Sequence, residues 1–174
     1  MKRLLLALPL ALSASLLVSA PAHADDRRCT GTIRAASVDG NVIVPKGATC
    51  RLLGTRVDGN VEVMRNARLV ARGVKVEGNI QAENHRYVVV TAREVDGKVV
   101  RSRVGGNIQL EQGGGGRLQR NVVDGDIQLF SNDGRFTVRN NRVGGNLQCK
   151  SNDPRPRGAG NKVAGDKEGQ CRSL

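Results

Sequence analysis

The chain has 174 residues and a formal net charge of +12, from 28 lysines and arginines against 16 acidic residues, which favours an anionic partner. It contains one tyrosine, two phenylalanines, no tryptophan and two histidines. Such a scarcity of rings argues against a surface on which bases or sugars stack.

The first 24 residues have the form of a secretory signal peptide. Lys2 and Arg3 precede an apolar run at 4–18, and Ala22-His23-Ala24 supplies small residues for cleavage. The run is too short and wrongly flanked for a membrane span. Cleavage after Ala24 predicts a secreted, periplasmic or cell-wall-associated domain of residues 25–174 that still carries about +10.

A Val-x-Gly-Asn motif returns at nearly fixed intervals along this domain, most clearly at Val57-Asp58-Gly59-Asn60-Val61. Its glycines are 19, 19, 19, 9, 19, 20 and 20 residues apart, and a period near 19 indicates a repeat architecture. The glycines are Gly40, Gly59, Gly78, Gly97, Gly106, Gly125, Gly145 and Gly165. The short interval at 97–106 predicts either a half coil or an insertion, and the four glycines at 113–116 predict a flexible loop.

Apolar and polar residues alternate within each repeat, which indicates strands with one buried face. Two or three short strands per repeat predict an all-β, single-stranded parallel β-helix of about seven coils, right-handed by the default for parallel crossovers. We expect an N-terminal cap at 25–37, coils at 38–149 and a C-terminal cap at 150–174. An antiparallel meander or barrel is the alternative, because Asp-Gly between apolar residues is also a hairpin signal.

The four cysteines pair naturally by position in this architecture. An even count in an exported chain indicates disulfides. Partners 21 and 22 residues apart lie on neighbouring coils, about 4.8 Å apart, whereas other pairings would cross most of the stack. The sequence therefore predicts disulfides Cys29–Cys50 and Cys149–Cys171 at the two ends. A metal site is not expected, because there is no C-x-x-C motif and a single histidine remains after cleavage.

An asparagine follows the glycine in most repeats, and stacked coils place these side chains in one column. An amide both donates and accepts hydrogen bonds, so the column satisfies itself, and its expected role is structural. Lys98, Asp126 and Asp166 occupy the same position in other repeats. The predicted column contains Asn41, Asn60, Asn79, Asn107 and Asn146.

Basic residues recur three positions before the glycine and acidic residues one position before it, so both point outward from one strand. The basic positions are Arg56, Lys75, Arg103, Arg142 and Lys162, and the acidic ones are Asp39, Asp58, Glu77, Asp96 and Asp124. This predicts a solvated ladder of opposite charges, in which each pair is worth at most about 1 kcal/mol. The acidic residues thin out toward the C-terminus, so the predicted polyanion-binding residues are Arg101, Arg103, Arg135, Arg139, Arg142, Arg155 and Arg157.

The sequence shows no catalytic constellation and predicts no cofactor. Asp58, Glu77 and Asp96 offer carboxylates one coil apart, but they recur as outer positions of the repeat, whereas a catalytic pair appears once. Solenoid acyltransferases and carbonic anhydrases need histidines that this chain lacks. We expect a non-enzymatic structural or surface-interaction module of the bacterial envelope or secreted matrix, whose partner is an anionic envelope polymer or a protein and not a specific nucleic acid. The alternatives are a dedicated polyanion binder and a polysaccharide-active enzyme.

The repeated Val-x-Gly-Asn core over about residues 38–148 resembles that of bactofilins, bacterial cytoskeletal β-helices that form polymers. The layout of Cys29, these coils, Gln148-Cys149-Lys150 and Glu168-Gly169-Gln170-Cys171 looks more closely like a group of uncharacterised small secreted bacterial proteins. The resemblance to bactofilins implies a β-helix. The signal peptide and the cysteine pairs depart from the bactofilin pattern, and they argue against cytoplasmic filaments and open-ended polymerisation.

Overall fold

The computed structural model describes residues 26–174, and the predicted signal peptide lies outside them. Three parallel sheets enclose the core, and each complete coil contributes one strand to each sheet. Sheet A contains β1 (Arg27–Arg28), β4 (Val42–Val44), β7 (Val61–Val63), β10 (Ile80–Glu83), β15 (Ile108–Glu111), β18 (Ile127–Phe130), β21 (Leu147–Lys150) and β24 (Lys167–Gly169). Sheet B contains β2 (Thr32–Arg34), β5 (Thr49–Leu53), β8 (Arg68–Arg72), β11 (Tyr87–Thr91), β16 (Gly115–Gln119), β19 (Phe136–Arg139) and β22 (Arg157–Ala159). Sheet C contains β3 (Ser37–Val38), β6 (Arg56–Val57), β9 (Lys75–Val76), β14 (Arg103–Val104), β17 (Val122–Val123), β20 (Arg142–Val143) and β23 (Lys162–Val163).

Inward side chains from the three sheets form one continuous apolar core. Val61 lies in register with Val42 on one side and with Ile80 on the other, and all three are fully buried. Small β-branched side chains stack well in this way on a pleated surface. The parallel β-solenoid is therefore confirmed, with about eight turns from the eight strands of sheet A. The meander or barrel is excluded, because sheets A, B and C are parallel throughout.

The three corners of the coil turn in two different ways. The A–B corner uses a left-handed residue in coil after coil, as at Asn66 and Gln112, and the B–C corner does the same, as at Gly73 and Arg120. The C–A corner carries the Val-x-Gly-Asn motif and needs glycine for a different reason. A Cβ on Gly78 would meet the Oδ1 atom of Asn60 on the preceding coil, so close stacking excludes any side chain there.

The motif copy at Gly97 is not a coil, and of the half coil and the insertion predicted near 97–106 the structure forms an insertion. Strands β12 (Arg93–Val95) and β13 (Lys98–Val100) pair antiparallel around Asp96 and Gly97, whose φ angles are 48° and 71°. Two consecutive positive φ values are typical of a type I′ hairpin turn. Residues 93–100 are therefore an inserted hairpin between β11 and β14, and it packs back against Gly54 and Gly73 through Arg93. The predicted places of Lys98 in the amide column and Asp96 in the acidic column were wrong.

The glycine run at 113–116 is also not the flexible loop that the sequence predicted. Gly115 and Gly116 begin β16 and pair in register with Tyr87 and Val88 of β11. A Cβ on Gly116 would meet the ring of Phe136, the largest fully buried side chain. Gly113 and Gly116 make room for the rings of His85 and Phe136, whereas Gly114 and Gly115 lie against the backbone of neighbouring coils.

Both predicted disulfides are present near the ends of the stack. Cys29–Cys50 and Cys149–Cys171 join Cα atoms 5.4 Å and 5.2 Å apart, on neighbouring coils. Strands of the three sheets run on into both segments predicted as caps, from β1 to β24. At the C-terminal end Leu174 folds into the core cluster, where it is 6% exposed.

Candidate polyanion-binding surface

Four of the seven predicted arginines lie close together near the B–C corner. Arg103 and Arg142 project outward from sheet C, Arg139 projects outward from sheet B, and Arg101 follows the hairpin. Nη1 of Arg101 donates a hydrogen bond of 3.2 Å to the backbone carbonyl of Asn140. This contact links the base of the hairpin to a coil 39 residues later in the chain.

Two adjoining grooves cross this corner, and basic side chains line both of them. The groove on sheet B has a volume of about 400 Å³ and the groove on sheet C about 620 Å³, and Arg120 and Asn140 line both. No acidic residue lines either groove. We call the eight exposed cations of the two grooves the basic band: Arg72, Arg101, Arg103, Arg117, Arg120, Arg139, Arg142 and Lys162.

Ion pairs distinguish the N-terminal half of sheet C from the basic band. Within residues 26–174 the structure forms three ion pairs, Arg56–Asp58 at 2.7 Å, Arg56–Glu77 at 2.8 Å and Lys75–Glu77 at 2.7 Å. All three lie on sheet C in the N-terminal half, as the mixed ladder predicted, and no residue of the basic band takes part. The cations of the band are therefore not neutralised by ion pairs within the described residues.

The other predicted arginines do not join the band. Arg135 lies before β19 at the A–B corner, Arg155 lies in the segment between β21 and β22, and Arg157 projects from β22 beyond the grooves. All three are exposed. The coil places Arg135 and Arg155 at the A–B corner, whereas Arg157 shares the sheet B column of Arg117 but lies two coils further along the stack.

Sequence reasoning also missed four members of the band: Arg72, Arg117, Arg120 and Lys162. Arg72 belongs to the N-terminal half by sequence, yet it lines the same groove as Arg117 and Arg139 because sheet B places them on one face. A signal was present, since Arg72 and Arg117 alternate with buried apolar residues within β8 and β16. Arg72 and Arg117 align only when the inserted hairpin at 93–100 is left out of the length of the coil between them.

The predicted asparagine column exists and is held mainly through its oxygen atoms. The backbone N–H of Asn60 donates to Oδ1 of Asn41 at 2.7 Å, and Asn79 donates likewise to Asn60 at 2.8 Å. Asp126 accepts from the backbone of Asn146 in the same way. Because the oxygen carries the contact, aspartate can replace asparagine in the column.

Three further polar columns were not predicted. Asn121, Asn141 and Asn161 stack inside the B–C corner, and Asn132 and Asn152 stack inside the A–B corner, all of them buried. Their Nδ2 groups also donate to backbone carbonyls of a preceding coil. On the outer face of sheet A, side-chain amides bond in a row at 2.8–2.9 Å: Gln81, Gln109, Gln128 and Gln148.

His85 is buried at the A–B corner and is 2% exposed. Its ring lies edge-on to Phe136 with centroids 6.2 Å apart, and neither ring nitrogen has a hydrogen-bond partner. Burial lowers the pKa of His85 to about 4, and the backbone of Ala82 and the carboxylate of Asp133 offset this only in part. The imidazole is therefore neutral at physiological pH.

The described residues contain no cluster of three or more histidine, cysteine or acidic side chains that could hold a metal ion. Of the carboxylates considered for catalysis, Asp58 and Glu77 both form ion pairs with Arg56, and Asp96 lies in the hairpin turn. Residues 26–174 include no helix with the length and hydropathy of a membrane span.

Fold and surface together define a parallel β-solenoid with a basic band across one corner. No protein-family profile matches the chain, and searches of curated proteins and of solved structures give no significant match.

Proposed function

We propose that this protein is an exported, non-enzymatic β-solenoid that binds an anionic polymer of the cell envelope or secreted matrix along the basic band. The observation that carries the proposal is that eight exposed cations line two adjoining grooves without an acidic residue or an ion pair among them. Export is supported by the signal-peptide pattern and by two disulfides, which persist in oxidising compartments.

The chemistry of the band favours charge recognition over stacking. Seven of its eight cations are arginines, and guanidinium groups bind phosphate, sulfate and carboxylate in bidentate fashion. No aromatic ring lines either groove, which makes a single-stranded nucleic acid a poor ligand. An acidic polysaccharide or a teichoic-acid-type polymer fits these groups best.

Salt-dependent retention on immobilised heparin or teichoic acid tests the proposal. We expect substitution of Arg101, Arg103, Arg139 and Arg142 by serine to abolish retention near physiological salt. If each contact releases counterions as nucleic-acid contacts do, the slope of log K against log salt falls by about 3.

The control variant removes the same number of charges elsewhere, by substituting Arg27, Arg28, Arg56 and Lys75 with serine. Arg56 and Lys75 occupy the same column of sheet C as Arg103 and Arg142 but are ion-paired. Their loss should leave retention nearly unchanged. Equal weakening by both variants would show that net charge alone drives binding and would refute a band-specific site.

A further inference from the structure

Sheet A carries a shallow acidic groove that the basic band does not involve. The groove has a volume of about 310 Å³, and Glu62, Glu83 and Glu111 line it together with Gln81 and Gln109. Met64, one of three large apolar side chains well exposed in the described part of the chain, lines it as well, at 40% exposure.

The carboxylates of this groove lack a cation within the described residues. Glu83 and Glu111 lie directly opposite each other in the ladder between β10 and β15, an arrangement in which like charges repel. None of the three acids takes part in an ion pair, although the chain has a large excess of basic residues. The groove is therefore complementary to a basic surface.

The N-terminal half of sheet B is such a surface, and apart from Arg72 of β8 its cations lie outside the basic band. Its strands β2, β5, β8 and β11 contain no acidic residue. Arg68 lies over the ring of Tyr87, 5.7 Å from its centroid, and Arg86 donates to the hydroxyl of Thr49 at 3.1 Å. We call the four exposed cations of this area the arginine patch: Arg34, Arg51, Arg68 and Arg86.

We propose that the acidic groove of one copy docks on the arginine patch of a second copy. Coils repeat about every 4.8 Å on both faces, so charged rows of two copies stay in register along the contact. Leu53 and Tyr87, both half-buried, lie among the arginines and offer an apolar centre opposite Met64.

The size of the faces sets the strength of this contact. The arginine patch spans four strands about 4.8 Å apart, each up to five residues of about 3.3 Å, which gives a face of about 300 Å². A docked pair buries about 600 Å² in total, in the range of weak, transient contacts. The contact joins two different side faces and not the ends of the stack near the disulfides, so it is heterologous and can extend sideways into open chains of copies. The association is weak, and it reverses on dilution.

Sedimentation velocity at several protein concentrations tests the proposal. In about 20 mM salt we expect the average mass to rise to at least twice that of the monomer, and in about 500 mM salt to return to the monomer, because the Debye length falls from about 20 Å to about 4 Å. The variant Glu62→Gln, Glu83→Gln, Glu111→Gln should remain monomeric. The control Glu94→Gln, Asp124→Asn, Asp153→Asn changes the net charge equally and should still associate.

Mixing two variants tests the geometry of the contact. The second variant replaces the four residues of the arginine patch with serine and should also be monomeric alone. A mixture of the groove and patch variants retains one groove and one patch per pair, so we expect dimers and no larger species. A wild-type monomer under all conditions, association of the groove variant alone, or loss of association in the control would overturn the proposal.

Calcium addition tests the other possible occupant of the groove, a bound cation. A wild-type monomer whose thermal midpoint rises with calcium, in a manner lost in the groove variant, would assign the groove to a cation and overturn docking. The groove variant should keep its retention on heparin, because it leaves the basic band intact. Failure of docking and failure of polyanion binding are therefore distinguishable.

Discussion

Mild acid should destabilise this protein through His85. The imidazole is buried beside Phe136, and its pKa is lowered to about 4 from the value of 6.5 expected in an unfolded chain. As the pH falls through 6.5, His85 of the unfolded chain binds a proton, whereas His85 of the folded protein stays neutral. The free energy of unfolding is therefore highest above pH 6.5, and it falls progressively as the pH is lowered from 6.5 to 4.

The size of the effect follows from the two pKa values. Between pH 7.5 and pH 5 the linkage relation gives a loss of about 2 kcal/mol in the free energy of unfolding, and the loss levels off at about 3 kcal/mol below pH 4. Measurements at pH 5 and above keep the titration of ordinary carboxylates mostly outside the window. The loss is a large fraction of the stability of a typical domain.

Urea denaturation of the wild type and of His85→Asn, at pH 7.5, 6 and 5, measures this loss. Asparagine is the matched substitution because Asn132 and Asn152 fill the same inward corner in later coils. The wild type should lose about 2 kcal/mol more than the variant between pH 7.5 and 5. Equal pH dependence in the two proteins would show that the imidazole reaches solvent, and the argument from burial would fail.

Three further changes test the architecture. Asn60→Asp should cost under about 1 kcal/mol and Asn60→Ala about 1–2 kcal/mol in urea denaturation, because only the side-chain oxygen accepts the backbone hydrogen bond of the next coil. Deletion of 93–101 should keep the circular dichroism of the sheets and change the free energy of unfolding by under about 1 kcal/mol. A two-stranded hairpin adds little stability, and its removal restores a regular coil in which the buried Oδ1 of Asn121 can gain a hydrogen-bond donor. Replacing Cys149 and Cys171 with serine should lower the free energy of unfolding by about 3 kcal/mol through loss of a 22-residue loop closure, and an unchanged urea midpoint would contradict this.

The regular part of the fold could be predicted because each coil repeats the same physical problem. Period-two alternation fixes which residues face the core, and the 19-residue interval fixes which residues touch on neighbouring coils. The cysteine pairs followed from that interval alone. Val88 lies opposite Leu69, 19 residues earlier, even in the coil that precedes the inserted hairpin.

The misassignment at Gly97 shows where local pattern fails. Val-Asp-Gly-Lys-Val satisfies both the solenoid corner and a type I′ turn, and the nine-residue spacing to Gly106 was the signal that favoured the turn. The prediction of a flexible loop for the glycine run failed for the opposite reason. Flexibility is the default property of glycine, and only the positions of His85 and Phe136 show that these glycines are required by packing.

The basic band was only half predictable, because membership depends on the position of a residue around the coil as well as on the coil that contains it. Arg72 and Arg139 are far apart in sequence yet line one groove, whereas Arg135 is close to Arg139 but lies at another corner. A residue-by-residue count of charge cannot distinguish these cases. The correct length of each coil, including its insertion, can.

Spacing within the band explains how a run of cations can remain unpaired at little cost. On sheet C, Val122 separates Arg103 from Arg142, so their strands are two coils, or about 10 Å, apart. Two unit charges in water repel by about 0.9 kcal/mol at the one-coil distance and about 0.4 kcal/mol at two coils, before screening by salt. The N-terminal half stacks Arg56 directly on Lys75, and there acidic neighbours offset the repulsion. Arg142 and Lys162 are one coil apart and repel by the larger amount, whereas the wider spacing between Arg103 and Arg142 lowers their repulsion.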